Sequence, residues 1–193
     1  MRIAICGTHG VGKTTLAKAL SERLGLPMVE EIARGVIKES GFNSTSDYIQ
    51  NATSFEKKYI QREIYLRQET SELAYMQFGF VADRSVFDSI AYAKVYGVDE
   101  KTVNRLLGRA IGHALITYDL VVYVPPFWPP EDDGFRDTGE TLWRQVKRNI
   151  ERYLNAFEML GGNVMSIKEK ELDKRIAEVM QAINLLEEAR NAV

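Results

Sequence analysis

The residues best suited to chemistry lie in a glycine-rich segment near the N-terminus, directly after a short apolar run. Residues 7–14 read Gly-Thr-His-Gly-Val-Gly-Lys-Thr and match the pattern G-x-x-x-x-G-K-S/T at every fixed position. The glycines let the backbone wrap closely and point its N–H groups inward, and the helix that follows directs its positive end to the same point. The segment is therefore predicted to hold the phosphates of a nucleotide.

Two side chains of this segment have predicted roles toward ATP and Mg²⁺. Lys13 places a charge near the β- and γ-phosphates, and the Thr14 hydroxyl can ligate Mg²⁺. His9 faces the phosphates only by its position and is interpreted as a loop residue rather than a catalytic group. A chance glycine-rich turn is the alternative, but accident alone would give this pattern in roughly one such chain in a hundred. The predicted nucleotide-binding residues are Gly7, Thr8, His9, Gly10, Val11, Gly12, Lys13, Thr14 and Thr15.

A second chemical feature, Asp83-Arg84, follows the third predicted strand. In an open α/β sheet, the carboxyl end of a strand is where a second group that organises Mg²⁺ belongs. Thr14 and Asp83 are therefore the predicted metal ligands. Arg84 can hold an anionic or polar acceptor with its two-pronged guanidinium. The alternative for Asp83 is an ordinary N-cap on the helix predicted over residues 86–96.

The elements that must position these residues alternate along the chain. Apolar runs predict strands at residues 2–6, 27–31, 80–82, 120–124 and 164–167, and helical patterns separate them. This alternation predicts an α/β fold, a three-layer sandwich around a five-stranded parallel sheet, as one domain over residues 1–193. Residues 46–78 contain neither proline nor glycine and predict one long helix or two joined helices. Residues 125–139, rich in proline, glycine and acid, predict a loop.

Composition limits the classes of function. The chain has 193 residues, of which 45% are hydrophobic, and a net charge of −2. That balance gives no overall field for capturing nucleic acid or an anionic membrane. The single cysteine, Cys6, excludes an intrachain disulfide and is interpreted as a core residue. Because we find neither an apolar run of about 18 residues nor a signal-peptide cleavage site, a cytoplasmic protein without membrane partners is expected. No pattern indicates an oligomeric state.

Several segments resemble known enzymes. Asp83-Arg84-Ser85, with Ser89-Ile90-Ala91-Tyr92 beyond it, is similar to the Asp/Glu-Arg segment of thymidylate and deoxynucleoside kinases. Residues 30–34 (Glu-Glu-Ile-Ala-Arg), Trp128 and residues 133–137 (Asp-Gly-Phe-Arg-Asp) resemble the nicotinamide-riboside kinase branch of P-loop kinases. The resemblance covers about residues 1–167 and places the chain near the AAA-domain group of ATPases and kinases.

The resemblance implies an ATP-dependent phosphotransferase that acts on a nucleoside-type small molecule. Glu31, or its neighbour Glu30, would receive the proton of the acceptor hydroxyl; the alternative for this pair is a charge effect at a helix N-terminus. Residues 41–78 would be a helical insertion on the substrate side, and residues 125–140 a lid. The implied catalytic residues are Lys13, Glu31, Asp83, Arg84 and Arg136. The implied substrate-binding residues are Glu30, Glu31, Arg34, Arg84, Tyr92, Trp128 and Asp133.

One departure bears on the acceptor. Thymidylate kinases carry an arginine-rich segment on the second strand, where this chain has Glu30 and Glu31. The departure favours a neutral hydroxyl acceptor over a nucleoside monophosphate. The monophosphate stays the second hypothesis, because Arg34 and Arg84 could bind its phosphate. A third hypothesis is a P-loop ATPase switch that acts on a protein partner through residues 46–78. The chain lacks an Asn-Lys-x-Asp signature, so a GTP switch is not expected.

Overall fold

A computed structural model describes residues 1–127 and 140–192. Along the chain, each short strand is followed by one or more helices. The elements are β1 (Arg2–Cys6), α1 (Lys13–Leu24), β2 (Met28–Val29), α2 (Ala33–Glu39), α3 (Thr45–Asn51), α4 (Ser54–Ala74), β3 (Phe80–Asp83), α5 (Val86–Val95), α6 (Glu100–Thr117), β4 (Leu120–Tyr123), α7 (Glu140–Met159), β5 (Val164–Ser166) and α8 (Leu172–Asn191).

The five strands form one parallel sheet in the order β2-β3-β1-β4-β5. Alternate residues of β1 enter different cores, because successive side chains of a strand point to opposite faces. Ile3 and Ile5 pack with residues of α1 and α8, whereas Ala4 and Cys6 pack with residues of α2 to α7. The predicted three-layer α/β sandwich is therefore confirmed, as is the burial of Cys6 in the core.

Residues 46–78 form two helices, α3 and α4, rather than one. A capping box starts the second helix at Thr53: the Thr53 hydroxyl accepts the Glu56 N–H at 3.2 Å, and the Glu56 carboxylate accepts the Thr53 N–H at 2.7 Å. These contacts satisfy backbone donors that would otherwise be unpaired at the start of α4. They therefore fix the break between the two helices.

One predicted boundary near the candidate site differs from the structure. The predicted second strand reached Glu31, but β2 ends at Val29, so the prediction that Glu30 and Glu31 lie on this strand is wrong. Both glutamates lie in the connection to α2. Their side chains therefore need not point in alternating directions, as they would in a strand. Asp99 caps α6, with its carboxylate accepting the Thr102 N–H at 2.9 Å. In the described part of the chain, we find no helix with the length and apolar character needed to cross a bilayer.

Candidate active site

The glycine-rich loop connects β1 to α1 at the carboxyl ends of the strands. Gly7 has a φ of 151°, and a Cβ at this position would lie 2.5 Å from the carbonyl oxygen of Val124. Only glycine fits there without moving Val124, the residue after β4. The loop ends at Gly12, which has a φ of 83° and serves as the N-cap of α1, so the helix begins at Lys13. The free N–H groups at the start of α1 thus face the region that the loop encloses.

An open cavity of about 190 Å³, which we call the phosphate cavity, lies against this loop. Five of the predicted nucleotide-binding residues line it, and so do three predicted acceptor-side or metal residues. Its lining consists of Gly10, Gly12, Lys13, Thr14, Thr15, Glu31, Asp83 and Arg84. Gly7, Thr8, His9 and Val11, which belong to the same loop, do not line it, and all four are buried.

The Lys13 ammonium group is folded back onto its own loop. The side chain is buried, and Nζ donates a hydrogen bond to the carbonyl oxygen of Thr8 at 2.5 Å. Burial, followed by the charge of Arg84, lowers the pKa of Lys13 to about 8, although three nearby carboxylates act in the opposite direction. Lys13 is therefore mostly charged at neutral pH. Its hydrogen bond to the Thr8 carbonyl oxygen can be exchanged for one to a phosphate oxygen.

Thr14 and Asp83 meet where the start of α1 approaches the end of β3. Thr14 Oγ1 donates a hydrogen bond to Asp83 Oδ2 at 2.6 Å, beside the phosphate cavity. A hydroxyl and a carboxylate are oxygen ligands of the kind that Mg²⁺ takes, so this pair fits a magnesium ion. The alternative that Asp83 caps the following helix is wrong, because Ser85 is the N-cap of α5.

Arg84 occupies a strained backbone conformation. Among the described residues it is the one non-glycine residue with a positive φ, at 115°. Its Nη2 lies 2.9 Å from Oε1 of Glu31, and its guanidinium carbon lies 5.4 Å from the centre of the Tyr92 ring. Burial opposes the charge on Arg84, but Glu31 and other negative groups nearby outweigh it and raise the pKa of Arg84 well above its usual value. Arg84 is thus a permanent buried cation beside the phosphate cavity.

A second cavity, which we call the acceptor cavity, adjoins the first. Its wall combines apolar side chains with amide, hydroxyl and charged groups from four parts of the chain. These are His9 of the loop; residues 31–34 and Ile37 at α2; Thr45, Gln61, Ile64 and Gln68 of α3 and α4; and Arg84, Ser85, Ser89, Tyr92 and Tyr96 at α5. Glu31 and Arg84 line both cavities.

The structure separates the two candidate glutamates. Glu31 is half-buried, paired with Arg84 and placed in both cavities, whereas Glu30 is exposed and lines neither. Arg34 and Tyr92 join Glu31 in the acceptor cavity. Trp128, Asp133 and Arg136, which the resemblance also implies, lie outside the described residues, as does most of the predicted lid over residues 125–140.

His9 connects the glycine-rich loop to the wall of the acceptor cavity. Its backbone N–H donates a hydrogen bond to the Tyr92 hydroxyl at 3.0 Å, and its Nδ1 lies 2.9 Å from the same hydroxyl. The imidazole is buried, with 3% of the residue exposed. His9 therefore orients Tyr92 from within the protein.

Sequence reasoning missed several residues of the site. Gln61 and Gln68 line the acceptor cavity from α4, and no motif in residues 41–78 indicated them. Asp88 accepts the Ser85 N–H and hydroxyl through Oδ2, and Ser-x-x-Asp is a readable capping pattern. Its second contact, in which Oδ1 accepts the Gly7 N–H at 3.1 Å, depends on the fold and has no signal in the sequence.

A family model described as the AAA domain matches residues 2–175 of the chain. A deoxyadenosine kinase from Dictyostelium discoideum is 34% identical over 99 residues, which make up 48% of this chain and 36% of that enzyme. The match therefore spans about a third of the relative's length.

Solved structures with similar folds include two nucleotide-bound proteins. Deoxyadenosine kinase from M. mycoides, with the products dCMP and a flexible dCDP bound, superposes with a TM-score of 0.69 at 19% identity, over 95% of this chain and 99% of that one. NadR protein in complex with NAD and AMP-PNP superposes with a TM-score of 0.66 at 18% identity, over 95% of this chain and 48% of that one. At these identities the likenesses establish the fold alone.

Proposed function

Since the chain belongs to the AAA domain family and has the fold of P-loop nucleoside and nucleotide kinases, we propose that it is an ATP-dependent kinase that phosphorylates a hydroxyl group of a nucleoside-type small molecule. The observation that carries this proposal is the Glu31–Arg84 pair, which lines both the phosphate cavity and the acceptor cavity. A carboxylate and a guanidinium at that boundary suit the transfer of a phosphoryl group from one cavity to the other.

On the donor side, the loop N–H groups and Lys13 would bind the β- and γ-phosphates of ATP. Thr14 and Asp83 would hold Mg²⁺, which when bound neutralises charge on the phosphate oxygens. Arg84 offers a further cation to the transferring group, and its Nε is buried without a hydrogen-bond partner among the described residues. An unpaired buried donor is costly, so a phosphate or acceptor oxygen at this point would supply the missing contact.

On the acceptor side, Glu31 would receive the proton of the acceptor hydroxyl as its oxygen attacks the γ-phosphorus. The new O–P bond forms as the bond between the γ-phosphorus and the β,γ-bridging oxygen breaks, which leaves ADP and the phosphorylated acceptor. Lys13 and Arg84 would stabilise the negative charge that is spread over the transferring group. The proton ends on the Glu31 carboxylate and is released to solvent with the products.

The wall of the acceptor cavity supports a nucleoside. Ile32, Ile37 and Ile64 provide apolar surface, and Gln61 and Gln68 add amides that can hydrogen-bond the edge of a base. The helical segment 41–78 would thus form the substrate-side wall of the single domain over residues 1–193.

A nucleoside monophosphate is the second candidate acceptor. Arg34 and Arg84 both line the acceptor cavity, and two guanidinium groups can bind a phosphate. A preference for monophosphates that is lost in Arg34→Ala would establish this alternative and replace the neutral acceptor.

The experiment that tests the proposal is ADP release from Mg-ATP in the presence of ribonucleosides, deoxynucleosides, nicotinamide riboside and their monophosphates. We expect one class to stimulate release by more than about tenfold over hydrolysis, because a positioned hydroxyl outcompetes water. Lys13→Ala should abolish the stimulation, and Glu30→Gln, at an exposed residue outside both cavities, should leave it unchanged. If no compound stimulates ADP release although ATP binds, the nucleoside-kinase proposal is wrong, and a switch acting on a protein partner or an acceptor outside nucleotide metabolism takes its place.

A further inference from the structure

We propose that Glu72, on α4 and outside both cavities, is a positioning residue that holds Arg84 in its strained conformation. The inference deepens the proposed function and rests on it, because it concerns how Arg84 is kept in place for phosphoryl transfer. Glu72 acts through two relay side chains, Gln68 and Tyr118. They contact the turn between β3 and α5 at the residues just before and just after Ser85.

Glu72 is fully buried, with 0% of the residue exposed. Its carboxylate accepts hydrogen bonds from the Gln68 amide at 2.7 Å and from the Tyr118 hydroxyl at 2.8 and 2.9 Å. His113 Nε2 on α6 lies 2.6 Å from Oε2. Burial raises the pKa of Glu72, while these partners act in the opposite direction. A carboxylate is costly to bury without hydrogen bonds, so Glu72 depends on these partners. The same hydrogen bonds fix the positions of the partner side chains.

The two relays end on the backbone of the site. Gln68 Nε2 also donates to the carbonyl oxygen of Arg84 at 3.3 Å. The Tyr118 hydroxyl, which donates to Glu72, accepts the backbone N–H of Val86 at 3.0 Å. One carboxylate is therefore linked to the residue before Ser85 and to the residue after it.

This double link matters because Arg84 has a φ of 115°. A non-glycine residue in such a region is strained and stays there only when its surroundings hold it. If either link is lost, the turn can relax toward an ordinary φ. The Arg84 guanidinium would then move away from Glu31, which it now contacts at 2.9 Å.

The test compares two buried tyrosines that each donate to a carboxylate on α4. Tyr118 donates to Glu72 and accepts a hydrogen bond from the turn, whereas Tyr65 donates to Glu69 at 3.0 Å and has no hydrogen bond to the turn among the described residues. Neither lines a cavity. Tyr118→Phe should lower kcat about tenfold or more with the KM for ATP changed less than about twofold, because a small misplacement of a catalytic group is expensive. Tyr65→Phe should keep kcat within about twofold.

A second readout does not depend on turnover. In ¹⁵N-labelled protein, the Nε–Hε resonance of Arg84, identified by its absence in Arg84→Lys, should shift in Tyr118→Phe and stay in place in Tyr65→Phe. Glu72→Gln should shift the same resonance, and the double variant with Tyr118→Phe should lose less kcat than the two single losses combined.

The outcomes separate the two proposals. If the wild-type protein phosphorylates no acceptor, the proposed function fails, and the Arg84 resonance alone then supports or overturns the inference. If the wild-type protein is active but Tyr118→Phe matches Tyr65→Phe in both kcat and spectrum, the positioning role of Glu72 is overturned while the proposed function stands.

Discussion

Asp88 and Gly7 join the start of α5 to the start of the glycine-rich loop through one hydrogen bond, from the Gly7 N–H to Asp88 Oδ1, at 3.1 Å. The other carboxylate oxygen of Asp88 accepts the Ser85 N–H at 2.9 Å and its hydroxyl at 2.7 Å. Asp88 is fully buried, so both oxygens are engaged within the protein. The loop and the turn that carries Arg84 therefore share one support.

Asp88→Asn should loosen this support, because an asparagine side chain has one acceptor oxygen and must leave either Gly7 or Ser85 unpaired. A buried unpaired donor costs about 1–3 kcal/mol, so we expect a loss of that size in the free energy of unfolding, measured with urea. Asp47→Asn, a change at a half-buried residue in the cap region of α3, should lose less than about 1 kcal/mol. Equal losses in the two variants would refute the role of Asp88.

Glu31→Gln should remove the proton acceptor while keeping the shape of the side chain. We expect kcat for the acceptor to fall by about 10²–10⁴, which is the usual contribution of a general base, with the KM for ATP changed less than about twofold. Glu30→Gln is the matched control, since the neighbouring carboxylate is exposed and lines neither cavity. Steady-state kinetics of both variants measure the difference, and a similar loss in Glu30→Gln would contradict the assignment.

Thr14→Ala should weaken the proposed magnesium site, because it removes the hydroxyl that lies 2.6 Å from Asp83. The Mg²⁺ concentration needed for half of the maximal rate should rise by about tenfold, because the ion loses one of its protein ligands. Thr14→Ser keeps the hydroxyl and should restore the wild-type requirement. A titration with Mg²⁺ at saturating ATP measures all three proteins; an unchanged requirement in Thr14→Ala would place the metal elsewhere.

Lys13 should make ATP binding depend on pH. Its pKa is lowered to about 8 in the free protein, so it is charged below that pH and increasingly neutral above it. Bound phosphates favour the charged form, and binding at pH 8 should therefore take up about half a proton. The Kd for Mg-ATP should rise as the pH increases beyond 8.

Calorimetry in buffers of different ionisation enthalpy measures this proton uptake directly. In Lys13→Arg the guanidinium stays charged throughout this range, so the uptake assigned to Lys13 should disappear even where the affinity is lower. Uptake that persists in Lys13→Arg would assign the titration to another group.

The sequence predicted the donor half of the site better than the acceptor half. The glycine-rich loop is a contiguous pattern whose neighbours in the chain are also its neighbours in the fold, and the strand before it was readable from its apolar run. The break between α3 and α4 was readable too, since Thr53 and Glu56 have the spacing of a capping box.

The acceptor half depends on long-range packing. Glu31 meets Arg84 because β2 and β3 are adjacent in the sheet, and nothing local indicates that order. Gln61 and Gln68 face the same cavity because α4 packs against α2 and α5, so their role emerges only from the assembled fold. The strained φ of Arg84 is likewise a product of its surroundings, because arginine has no local preference for it.

That strained φ sets stability and activity against each other at one position. Glycine is the residue that accepts a φ of 115° at little steric cost, but it has no guanidinium to place beside Glu31. Arg84→Gly would remove the strain but leave the Glu31 carboxylate without its cation. Mutational searches for a more heat-resistant protein should therefore recover glycine at position 84 only together with a neutral residue at position 31, and searches for turnover should reject both changes. The arginine and its glutamate are thus expected to be kept or replaced together.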